Sequence, residues 1–159
     1  MKHRIRSAAI VIDNDKILLV KHKHPKSGIE FWVPPGGGLE DSESIYGCAI
    51  RETYEETGLK VILGEIRYLR EFVDPEHGEH HFEIFIQAKS FVGELTISNV
   101  NPDDRDGPYV KEAKFLSQVD ISGLTIYPEI LKNEFWDELR TGKLQTRYIG
   151  QQWGTWGLR

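Results

Sequence analysis

Residues Gly37 to Leu59 read GGLEDSESIYGCAIRETYEETGL, and the fold turns on this stretch. Ile45 to Thr57 carries helical periodicity. Asp41-Ser42-Glu43-Ser44 supplies short polar caps and early acid. Gly58 fits the position just past a helix, where a left-handed residue stops it. On that helix Glu52 and Glu56 lie one turn apart, with Glu55 beside them. Like charges at this spacing repel by roughly 0.2–0.5 kcal/mol per pair. A solvated acidic face, helped by Arg51 four residues before Glu55, is one explanation. A helical projection argues against it: Glu52 and Glu56 share the arc of Ile45 and Ala49, which face a core. Carboxylates on a buried edge need partners. Three converging carboxylates point to a hard divalent cation, and Mg²⁺ takes oxygen ligands while keeping waters for substrate phosphates.

Just upstream, Phe31-Trp32-Val33 reads as a short strand stopped by Pro34-Pro35. Gly36-Gly37-Gly38 follows and reads as irregular structure joining that strand to the helix. Glycines let backbone approach a ligand closely, and a carbonyl there can complete a metal shell. Taken alone, a glycine-rich turn needs no ligand.

Together these residues resemble the Nudix box, G-x5-E-x7-R-E-U-x-E-E-x-G-U, where U is a bulky apolar residue. Gly37, Glu43, Arg51, Glu52, Glu55, Glu56, Gly58 and Leu59 fall in register. Thr53 at the first U position is the departure. Trp32-Val33-Pro34-Pro35-Gly36 also resembles the family's approach to the box. The resemblance implies an α/β/α sandwich around a mixed sheet. It also implies hydrolysis of a nucleoside diphosphate linked to another moiety. By the same resemblance, Glu52, Glu55 and Glu56 hold Mg²⁺ or Mn²⁺, joined by the carbonyl of Gly36 or Gly37. Arg51 orients a box glutamate through an ion pair, and Glu43 steadies the box or binds an outer metal. Glu52 or Glu55 serves as general base. Some family members use an acid from a later loop, for which Glu112, Asp103 and Asp104 are the candidates here; each also reads as an ordinary loop charge.

The chemistry agrees with the resemblance. Cleaving a pyrophosphate needs charge neutralised on the phosphates and a water aligned for attack. An acidic protein can bind an acidic substrate because metal ions invert the local field. Gly37 and Gly38 are candidate substrate-binding positions, and Trp32 is a candidate base-stacking residue. At strand spacing Trp32, Phe31, Phe72 and Phe82 read equally as core. Pro75, about sixteen residues past the box, stands where some relatives that hydrolyse ADP-ribose carry a proline. Asp74-Pro75-Glu76-His77-Gly78 also reads as a plain hairpin turn. The substrate classes left open are nucleoside triphosphates and nucleotide sugars such as ADP-ribose. A nucleotide-sensing domain that does not hydrolyse is the rival, and the complete set of box glutamates favours the enzyme.

Outside the box, Ala8 to Asp13 and Ile17 to Val20 read as strands around an Asn14-Asp15 turn. Val61 to Leu63, Ile66 to Val73, His81 to Ala88 and Val110 to Leu116 are further strand candidates. Pro128 to Arg140 reads as a second helix with Pro in its first turn. The tail from Leu144 to Arg159, with Trp153 and Trp156 among glycines, has no assignment; the tryptophans suit a core cap or a dimer interface. His77, His80 and His81 read as a solvated hairpin tip. The order is that of an α/β or α+β single domain covering 1–159.

At 159 residues, with 39% apolar and 28% charged side chains, composition is ordinary for a globular domain. A net charge of −5 argues against a nucleic-acid partner. One cysteine, Cys48, excludes an internal disulfide framework. The basic start Met1 to Arg6 and apolar Ala8 to Ile12 imitate a signal peptide, but Asp13 to Lys16 cuts the run short. No stretch reaches membrane-spanning length. The expectation is a soluble cytoplasmic protein with a small-molecule nucleotide substrate; a homodimer is open.

Overall fold

The computed structural model describes residues 1–154. Five strands form a mixed sheet in the order β5-β1-β7-β6-β9. They are β1 (Lys2–Ile10), β5 (Gly36–Gly38), β6 (Lys60–Asp74), β7 (Glu79–Val92) and β9 (Arg147–Trp153). β1 runs parallel to β7 and β6 parallel to β9; β5 and β6 are antiparallel to β1 and β7 respectively. In a second, antiparallel sheet β3 (Lys16–Lys23) pairs with β2 (Ile12–Asp13), β4 (Glu30–Val33) and β8 (Val110–Ser117). The left-handed residues Asn14 and Asp15 make the β2–β3 turn, as their side-chain types predict.

Helix α1 spans Ile45–Thr57, within the expected bounds. Ser44 caps it by accepting from the Gly47 N–H, and Gly58, at φ 77°, closes it by donating to Tyr54 O. A Cβ at Gly58 would come within 2.6 Å of the Glu94 carbonyl oxygen. Gly58→Ala should therefore cost about 1–2 kcal/mol, the usual left-handed penalty, and more if that carbonyl cannot yield. Urea unfolding measures it; an unchanged midpoint would refute the packing argument. The departure at Thr53 has a physical reason. The residue is fully buried, and its hydroxyl donates to Ala49 O at 2.7 Å.

Period-two alternation along β7 places helices on both faces of the mixed sheet. Ile84 and Ile86 pack with Ala49 of α1. Phe85, between them, joins Tyr68 and Ala8 in the large core with Leu131, Phe135 and Trp136. β3 also divides its residues: Ile17 and Leu19 enter the large core, and Leu18 a second cluster with Ala9, Leu59 and Val61. These layers match the expected α/β/α arrangement around a mixed sheet.

Three local expectations are corrected. Gly36–Gly38 is regular structure: it pairs antiparallel with Arg6 to Ala8. A Cβ on Gly36 would stand 2.5 Å from Ala8 Cβ, so glycine here permits a tight strand pairing. The Pro128–Arg140 helix is two pieces, a 3₁₀ turn over Glu129–Lys132 and α2 (Glu134–Thr141). Asn133 leaves helical geometry between them at φ −134°, and its carbonyl accepts from Trp136 and Asp137. The tail supplies β9, the edge strand beside β6. Trp153, at its end, is 64% exposed and caps no core. Trp156 lies outside the described residues. Among the described residues no helix is long and apolar enough to cross a membrane.

Candidate metal and phosphate site

The Ser44 cap and the Gly58 stop fix α1 so that its acidic face meets β5. Glu56 is 5% exposed, and its Oε1 accepts from the Gly36 N–H at 2.8 Å. Its Oε2 is buried without a hydrogen-bond partner. Glu52 stands beside Gly37, where a Cβ would run into its carboxylate. Arg51 ties the cluster together. Its Nη1 reaches Glu52 at 2.9 Å and Glu55 at 3.2 Å. Its Nε and Nη2 reach Glu43 at 3.1 and 2.7 Å, and Nη2 also donates to Gly38 O. Glu43 in turn accepts from the Glu40 N–H. This fork-shaped use of one guanidinium by three carboxylates is a task lysine could not do.

Burial is the main electrostatic fact. Desolvation pushes the Glu52 carboxyl up to about 7, against the pull of Arg51. Desolvation also raises Glu55. It raises Glu56 furthest above the ordinary range, with the Glu52 charge adding to it. Glu43 goes the other way, lowered by its hydrogen bond from Arg51. The Cys48 thiol, pushed up to about 11 by burial, donates to Gly37 O and is no nucleophile at neutral pH.

These donors suit a hard divalent cation. All are carboxylate oxygens, one buried oxygen has no partner, and the raised carboxyls would be relieved by positive charge. Among the described residues no three Asp, Glu, His or Cys side chains are clustered tightly enough as they stand to hold an ion. Arg51 draws Glu52 and Glu55 to itself while Glu56 turns to β5.

A cleft of about 150 Å³ opens here, lined by Gly38, Glu52, Glu55 and Glu56 on one side and Asn101 and Asp104 to Gly107 on the other. Asp104 belongs to this lining, and Asp103 and Glu112 do not. Glu112 is on β8, ion-paired with Lys21 and Lys114. Trp32 is 7% exposed in the large core, and Phe31 and Phe72 are fully buried. Gly37 lines a small adjoining hollow with Arg6, Tyr127 and Glu83. Pro75 sits in the β6–β7 turn, its carbonyl accepting from the Gly78 N–H, outside the cleft lining.

The sequence reading missed the arginines. Arg4, Arg6, Arg105 and Asp106 all border the acidic cluster. Arg6 donates from both Nη atoms to Asp106 at 3.3 Å, and its charge acts on Glu52 and Glu56. The alternation Arg4-x-Arg6 is strand-like and marks one face of β1. That signal was present in the sequence; the partner loop's position was not.

The site is a helix of carboxylates held against a glycine strand in a mixed α/β domain. A family model described as the NUDIX domain matches residues 2–133, and the chain belongs to that family. Diphosphoinositol polyphosphate phosphohydrolase 2 from Mus musculus is 33% identical over 93 residues, 58% of this chain and 44% of the relative. Diphosphoinositol polyphosphate phosphohydrolase 3-alpha from the same organism is 38% identical over 73 residues, 45% of this chain and 41% of the relative. The matched segment thus spans less than half the length of these relatives. Two solved structures share the fold. One is the MutT NUDIX hydrolase of Burkholderia pseudomallei, with TM-score 0.67 and 23% identity over 84% of this chain and 98% of that one. The other is the E. coli ORF135 protein, with TM-score 0.69 and 22% identity over 90% and 94%.

Proposed function

We propose that this chain is a metal-dependent pyrophosphohydrolase acting on a nucleoside diphosphate linked to a further group, a nucleoside triphosphate or a nucleotide sugar. The observation that carries the reading is the carboxylate row on α1, partly buried at Glu52 and Glu55 and buried at Glu56 with its partnerless Oε2, facing Gly36 to Gly38. Membership of the NUDIX family and the phosphohydrolase names of its curated relatives support it.

Glu52, Glu55 and Glu56, with the Gly36 carbonyl, would hold Mg²⁺ or Mn²⁺. Such an ion neutralises phosphate charge and acidifies a bound water. The chain's own part is to supply and aim the carboxylates. Arg51 holds Glu52 and Glu55 and is itself anchored by Glu43 and by the Gly38 carbonyl of β5. Glycine at 37 and 38 leaves the room on β5 that the Glu52 carboxylate and the Arg4 guanidinium occupy. Glu52 or Glu55, beside the bound water, would serve as the general base.

ADP-ribose cleavage in particular gains no support from Pro75, whose place in a hairpin turn is explained locally. The test is a Mg²⁺-dependent phosphate-release screen over nucleoside triphosphates, ADP-ribose, other nucleotide sugars and dinucleoside polyphosphates. Pyrophosphatase reveals pyrophosphate product, and phosphatase reveals monophosphate product. We expect hydrolysis that chelator abolishes and Mg²⁺ restores. A blank panel accompanied by tight nucleotide binding would replace the hydrolase with a nucleotide sensor.

A further inference from the structure

Two guanidinium groups stand at the acidic cleft, from distant parts of the chain. Arg4 comes from β1, and Arg105 from the loop that covers the cleft. Both are drawn to one carboxylate, Glu79 at the start of β7. Arg105 pairs with it bidentately, at 2.8 and 2.6 Å. Arg4 approaches it only to 3.6 Å, and its Nη1 is buried without a hydrogen-bond partner. His81 Nε2 lies 3.0 Å from the same carboxylate. Burial and then the charge of Arg6 lower the His81 pKa, so the ring adds no charge at neutral pH. Both guanidiniums thus lean on Glu79, with the Asp106 charge also acting on Arg105, beside a row of carboxylates.

The arrangement has room for an anion. Arg105 is 47% exposed and has donors left over, since a guanidinium carries five N–H groups and the pair with Glu79 uses two. Arg4 lies against Gly38: a Cβ there would come within 2.9 Å of its Nη2. Glycine at this position thus leaves the Arg4 fork in place along the edge of β5. Neither arginine touches Glu52, Glu55 or Glu56 in a hydrogen bond or ion pair, so neither is needed to steady the carboxylates.

We propose that Arg4 and Arg105 form a phosphate subsite on the wall of this cleft, selecting substrates that carry a phosphate beyond the scissile diphosphate. The inference rests on the hydrolase reading and narrows it. A third phosphate meets two partly satisfied guanidiniums, whose planar forks suit its oxygens. A sugar ring in the same place would leave them unanswered. Phosphate-rich substrates, nucleoside triphosphates among them, are then preferred over ADP-ribose.

The test compares Arg4→Gln and Arg105→Gln with the parent protein by calorimetry in Mg²⁺. The probes are imidotriphosphate with nitrogen at both bridges and methylenediphosphonate, neither of which holds a phosphoanhydride bond to cleave. Hydrogen bonds to charged groups are worth about 1.5–3 kcal/mol, so each substitution should weaken imidotriphosphate about tenfold or more. Methylenediphosphonate should change by less than about twofold. Lysine at either position should restore part of the loss, having charge without the fork. Equal weakening of both probes in folded variants, or no weakening of either, would overturn the subsite. The two readings fail differently. If the parent binds methylenediphosphonate with Mg²⁺ but gains nothing from a third phosphate, the subsite alone is wrong. If it binds neither, both are wrong.

Discussion

Glu56→Gln is expected to lower kcat/KM on the best substrate of the screen by about 10³-fold, the scale lost when charge stabilisation at a reacting phosphate is removed. The fold should survive, because glutamine keeps the acceptor that the Gly36 N–H uses. The same substitution has a stability effect of opposite sense. A carboxyl whose folded pKa lies above its unfolded value binds its proton more tightly in the folded state. Its contribution is therefore intact below the unfolded value near 4.5 and falls as pH rises toward the folded one. In chelator, Glu56→Gln should thus melt higher than the parent at pH 8, with the difference shrinking toward pH 5. Full Mg²⁺-dependent turnover in a folded Glu56→Gln protein would sink the metal assignment. A variant equally stable at both pH values would sink the account of burial.

Arg70→Met should be the most destabilising single change outside the acidic cleft. Arg70 on β6 and Glu83 on β7 are register partners, 5% and 6% exposed, joined at 2.7 Å from Nε and 2.5 Å from Nη2. Removing one member of a buried, hydrogen-bonded pair typically costs about 3–5 kcal/mol, because the remaining charge keeps its desolvation penalty. For a domain of this size that is a fall in Tm of about 6–20 °C. Arg6, whose Nε stands 3.9 Å from the other Glu83 oxygen, would take up part of the charge and hold the loss toward the lower end. Calorimetry reads the shift; a drop under 1 °C would mean that water or Arg6 replaces the pair completely. Changing both partners to apolar residues should restore much of the loss, since the pair's net worth is smaller than the cost of breaking it.

The acidic helix was legible in the sequence to the residue because its determinants are local. A serine cap, a helical apolar spacing and a glycine stop act within one or two turns, and the structure places all three as read. The carboxylate row was legible for the same reason. Glu52 and Glu56 share an arc with Ala49 whatever the rest of the chain does. Strands β3, β7 and β8 were legible from apolar runs, with ends that extend further than the runs themselves, whereas the run Ala8 to Asp13 is divided between β1, which begins at Lys2 and stops at Ile10, and β2 in the other sheet. Gly36 to Gly38 was misjudged because glycine's weak strand propensity is a local argument. Close pairing with Ala8 is a tertiary one, and it decided the matter.

The sequence by itself determined the acidic helix, its carboxylate row and the family resemblance, because spacing along a helix converts directly into a shared face. The tertiary structure alone decided what surrounds that set. It put Trp32 in the core and Glu112 among the lysines of the second sheet. It brought Arg4 and Arg105, a hundred residues apart, onto a single carboxylate. It also turned an unreadable tail into β9. Contacts of that range depend on strand order and register, which no local pattern of residues encodes. The electrostatics of the cleft follow from them, because burial and distant charges, more than the identity of a glutamate, set where its proton sits.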